Sequence, residues 1–127
     1  MRLITPLNRV LGLGAAKSGV EHWWSQRLTA AALFALGLWF AISVLRLDLT
    51  SHSAVVAWLR DPITAVLLIL TVLCGVYHSY LGVQAVVEDY VAGDGAKTSV
   101  LVLSAFAHLF AVTAGIFSIL KVAFGTV

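Results

Sequence analysis

An all-α membrane protein of three transmembrane helices is the fold class this sequence predicts, and three observations predict it. Of the 127 residues, 61% are hydrophobic and 11% charged, with a mean hydropathy of +0.99; a soluble domain carries about a quarter charged residues. The apolar residues gather into three runs, at about residues 28–45, 63–87 and 100–122. Each is near the roughly 20 residues that cross a hydrocarbon core about 30 Å thick. The charges fall outside these runs, apart from Lys121 at the end of the third. Lipid offers no partner to backbone N–H and C=O groups, so the runs are helices rather than open strands. A chain of this length is one domain, residues 1–127.

Residues 1–21 read as an N-terminal interfacial arm. Leu3, Leu7, Val10 and Leu11 fall near one side of a helix, although Pro6, Gly12, Gly14 and Gly19 interrupt it. A docking arm for a soluble partner fits the same residues. The stretch is too polar for a signal-peptide core, and no Arg- and Ser-rich leader precedes it, which favours a bacterial membrane. Trp23 and Trp24 stand where the first span begins, as interfacial anchors do. The connection from Arg46 to Asp61 is a loop, closed by Asp61-Pro62 at the start of the second helix, where the missing proline N–H would have had no partner. Ala92–Lys97 is short, so the second and third helices are antiparallel neighbours.

Arg2, Arg9, Lys17, Arg27 and Lys97 lie on one side of the membrane, and Arg46, Arg60 and Lys121 on the other. Five against three puts the N-terminus in the cytoplasm and the C-terminus in the periplasm by the positive-inside rule. The pI near 9.0 therefore reflects topology rather than nucleic-acid binding. The single cysteine, Cys74, lies inside the membrane and excludes an intramolecular disulfide.

His78 is the residue that asks for an explanation. It sits mid-span, sixteen positions after Pro62 and eleven before Asp89, about 16 Å from the inner end. Ionisable groups at such depth are functional candidates, and neutral imidazole is a common axial ligand of haem iron. Gly82 follows one turn on, where a flat macrocycle could approach the backbone. The plainer reading is an interhelical hydrogen bond. His108 falls at nearly the same depth on the third helix, so a haem clamped within the chain by His78 and His108 is an alternative. At the inner end, Tyr90 could donate to a quinone carbonyl with Asp89 beside it. On the same side His22, Ser25 and Arg27 could meet a propionate or a quinone head, Arg through its planar fork. Belt tyrosines and lipid-phosphate anchoring account for the same residues. No Cys-x-x-Cys-His, cysteine cluster, phosphate loop or nucleophile elbow is present, which excludes bond-making on a soluble substrate. Three helices are also too few to enclose a bulky cofactor, so partner subunits are expected.

The segments His22-Trp-Trp-Ser-Gln-Arg27 and His78-x-x-x-Gly82, continuing to Asp89-Tyr90-Val91-x-Gly93-Asp94, resemble the hydrophobic membrane anchor subunits of succinate dehydrogenase over nearly the whole chain. The resemblance implies half of a heterodimeric haem-binding helix bundle. In such an assembly a second, cytochrome b-type anchor shares one haem b and a ubiquinone site, and iron–sulfur and flavoprotein subunits supply electrons from succinate. It implies His78 as one axial ligand, Arg27, His22 and Gly82 as haem neighbours, and Tyr90 with Asp89 at ubiquinone. Ser25 and His108 inherit no role from it. A haem-free anchor of a peripheral complex is the alternative from another class.

Overall fold

The computed structural model describes residues 16–125, with side chains from residue 20 onward. Among the described residues four helices run in order: α1 (Ala16–Arg46), α2 (His52–Arg60), α3 (Pro62–Tyr90) and α4 (Asp94–Phe124). Three of them are long and apolar enough to cross a membrane, over Val20–Arg46, Pro62–Tyr90 and Asp94–Phe124. No strand occurs among the described residues.

The helices outrun the apolar runs that announced them. Residues 16–21, expected as the last part of an interfacial arm, are continuous with α1, and residues 1–15 of that arm lie outside the described residues. Trp23, Trp24 and Ser25 are polar or amphipathic but not helix breakers, so the helix extends through the interfacial layer. The connection expected as a loop also contains α2. Ser51 caps it by accepting the Ala54 N–H at 3.3 Å, a satisfied first-turn donor.

Local chemistry sets each end. Asp61 closes α2 and caps α3, accepting the Thr64 N–H at 2.8 Å with Pro62 just inside. That bond, with further donation from the Thr64 hydroxyl, holds the Asp61 carboxyl below the usual carboxylate range. Asp48 is lowered likewise, first by the Thr50 hydroxyl and then by its N–H. Gly93 has φ +88°, a left-handed value that turns the chain from α3 into α4 and that a Cβ would strain. Two cations then cover helix C-termini. Lys97 donates to the Glu88 carbonyl of α3 at 2.8 Å, and Arg60 donates to the Gly125 carbonyl past α4 at 2.7 Å.

Both α1 and α4 pack on α3 but, among the described residues, not on each other. Among the described residues the buried ones, Thr64, Ala65, Leu81 and Val87, all belong to α3. Outward surfaces are apolar, with Phe34, Leu45, Phe110 and Phe124 strongly exposed, as suits lipid or protein neighbours rather than water. At the outer end the Trp58 ring of α2 stacks on Trp39 of α1 at 6.3 Å and lies 6.2 Å from Phe40. Several hydroxyls within the spans donate to their own helices, as in Thr71 to the Leu67 carbonyl and Thr113 to the Leu109 carbonyl.

Candidate functional site

The site is a polar seam between α1 and α3. His22, Gln26 and Thr29 stand four and three residues apart, one stripe on α1. Glycines on α3 let that stripe approach. A Cβ at Gly82 would lie 3.7 Å from Gln26 Nε2, and one at Gly75 would lie 3.8 Å from Leu33. Both pairs are seven residues apart on each helix, so the antiparallel helices run in step. His78 lies between the two glycines, and its ring is gripped from α1. Its Nδ1 is 3.0 Å from Thr29 Oγ1, and its Nε2 is 3.4 Å from Gln26 Nε2. The Thr29 hydroxyl also donates to its own helix, to the Ser25 carbonyl at 2.8 Å, with the Gln26 carbonyl at 3.1 Å.

Beside this cluster two buried atoms have no partner among the described residues, His22 Nε2 and Gln26 Oε1. A buried polar atom left unsatisfied costs about 1–3 kcal/mol. The two lie about one turn apart on α1, on the side that faces His78.

The remaining expected residues are not drawn into the seam. Arg27 is exposed on another face of α1, its guanidinium 5.3 Å above the Trp23 ring. Asp89 is exposed and has no partner among the described residues. Tyr90 is 84% exposed at the end of α3, three turns from His78. Ser25 is half-buried, and its carbonyl accepts from the Thr29 hydroxyl. His108 makes a separate network. Its Nδ1 donates to the Ser104 carbonyl at 2.7 Å, its Nε2 is 3.2 Å from Ser79 Oγ, and Tyr80 meets its ring edge-on at 5.6 Å. Thus His78 is tied to α1, and His108 bridges α4 to the neighbouring flank of α3.

An open cavity of about 540 Å³ lies in the trough between α1 and α4, lined by Thr29, Cys74, Tyr77, Tyr80 and His108 among apolar residues. His78 does not line it. Among the described residues no three His, Cys, Asp or Glu side chains gather into a metal cage, so a metal held here needs ligands from elsewhere as well.

Comparison with known proteins now decides the family. Residues 1–119 match the model of the succinate dehydrogenase/fumarate reductase transmembrane subunit. The chain belongs to that family. A succinate dehydrogenase hydrophobic membrane anchor subunit from Paracoccus denitrificans is 28% identical over 127 residues, covering 100% of this chain and 98% of the relative. One of the same description from Rickettsia bellii is 34% identical over 90 residues, 70% of this chain and 71% of the relative. Another, from Rickettsia conorii, is 31% identical over 91 residues, 71% of this chain and 72% of the relative. The expected family and the all-helical membrane architecture both stand. As a succinate dehydrogenase membrane anchor, the chain works as part of a larger oxidoreductase complex in a membrane.

Gln26 and Thr29 are what sequence reasoning missed. Their signal was present, since a Gln and a Thr in register with His22 form a polar stripe on an otherwise apolar helix.

Proposed function

We propose that this anchor serves a succinate:ubiquinone oxidoreductase, contributing His78 to a b-type haem and Tyr90 with Asp89 to a ubiquinone site. The observation that carries the reading is the position of His78 Nε2. It is mid-membrane, met only by an amide at the long distance of 3.4 Å, with the side-chain-free Gly82 one turn away. The chain's own residues fit a haem there. His78 would supply one iron-binding nitrogen, and His22 Nε2 would donate to a carboxylate. Arg27, free of any carboxylate among the described residues, would pair with another. When bound, the haem supplies a one-electron centre within the membrane. A second anchor subunit would supply the further protein ligand and the remaining wall.

Tyr90 and Asp89 support the quinone half of the reading because both stand exposed and uncommitted at the end of α3. Their face is the cytoplasmic one by the charge rule, where iron–sulfur and flavoprotein subunits would deliver electrons. The same rule gives a cytoplasmic N-terminus and a periplasmic C-terminus, in a bacterial inner membrane. The separate hydrogen bonding of His108 weighs against a haem clamped between His78 and His108.

A dithionite-reduced minus oxidised spectrum of the complex, purified in mild detergent, tests this reading. A b-type α-band is expected, lost in His78→Ala and kept in His108→Leu. The reverse pattern would overturn the ligand assignment. A colourless complex that still oxidises succinate would favour the haem-free anchor.

A further inference from the structure

We infer that Thr29 is a positioning residue that fixes the tautomer and ring plane of His78, leaving Nε2 as the unprotonated nitrogen. The inference rests on the haem reading above and deepens it. A threonine hydroxyl has one proton, and two carbonyls of α1 already compete for that of Thr29, Ser25 at 2.8 Å and Gln26 at 3.1 Å. Toward His78, 3.0 Å away, the oxygen is therefore an acceptor, and Nδ1 carries the ring proton. A neutral imidazole protonated at Nδ1 has its lone pair on Nε2. The backbone of α1 thus sets the direction of the Thr29 hydroxyl, and that hydroxyl sets which histidine nitrogen is open to a metal.

Such outer partners orient a ligating imidazole and raise its basicity. Electron density pushed onto the ring through Nδ1–H favours the ferric state of a bound haem. Removing the acceptor should do the opposite.

The test uses the intact complex in native membranes and compares Thr29→Val, Thr29→Ala and Thr29→Ser with the unaltered protein. Redox titration of the b-type band and low-temperature EPR of the ferric haem are the readouts. Val and Ala should move the midpoint potential to more positive values, change the largest g value and weaken haem retention roughly 10-fold or more. Ser, which keeps the hydroxyl, should restore all three. Unchanged potential and g values in Val or Ala overturn the inference. Failure of both variants to assemble assigns the hydroxyl to helix packing and overturns it too. His78→Ala separates the two levels. A band lost there but unchanged in the Thr29 variants removes only this inference, whereas no band in the unaltered complex, or a band surviving His78→Ala, removes the haem reading with it.

Discussion

Each polar side chain in hydrocarbon needs a partner, and the two mid-membrane histidines meet that need differently. His108 closes both nitrogens against Ser104 and Ser79, which makes it a fastener between α4 and α3. His78 holds one short contact and one long one, beside two orphaned atoms. Matched depth alone made them look like a pair; hydrogen-bond partners separate them. Tyr90 is the residue most open to a ligand, being 84% exposed at the end of its helix. Tyr90→Phe removes one donor and leaves the ring in place. It should therefore slow quinone reduction roughly 2- to 10-fold, on the order of one charge-neutral hydrogen bond, while succinate oxidation by an artificial acceptor continues. Parallel assays of the two activities check it, and equal loss of both would assign Tyr90 to assembly.

Between elements, glycine decides how near the helices come. A Cβ at Gly115 of α4 would lie 2.9 Å from Val72 Cγ1 on α3. A helical valine is stiff at χ1 and cannot swing aside. Gly115→Ala should therefore destabilise the α3–α4 hairpin by about 1–3 kcal/mol, the usual cost of overpacking. Detergent-denaturation curves would measure it, and Val72→Ala should restore the difference. An unshifted curve for Gly115→Ala would mean the helices part without cost. None of this packing was legible beforehand, because hydropathy reports which segments leave water and not which faces meet. The spans themselves were legible, since bilayer thickness imposes their length. Their ends were not, because Trp23, Ser25, Glu88 and Thr98 continue a helix after the apolar run has stopped. The nine residues of α2 were too few to stand out from a loop.

At the scale of the molecule, α3 is the axis and α1 and α4 are its flanks. The buried residues confirm that arrangement by lying on α3 alone among the described residues. Sequence motifs found His78 on this axis, but the residues that grip it come from α1, a long-range pairing no local pattern encodes. Thr29 and His78 stand 49 positions apart. At synthesis rates of about 5–20 residues per second, that interval is a wait of several seconds. Through it, the polar stripe of α1 is already made and its counterpart is not. A chain arrested on the ribosome before residue 78 should therefore keep α1 cross-linked to the insertion machinery through a probe at Gln26, and a chain arrested well beyond Tyr90 should release it. Release before His78 emerges would mean that lipid receives the stripe unaided. The first helix to be made would be the one whose residence beside the insertion machinery depends on a partner yet to be translated.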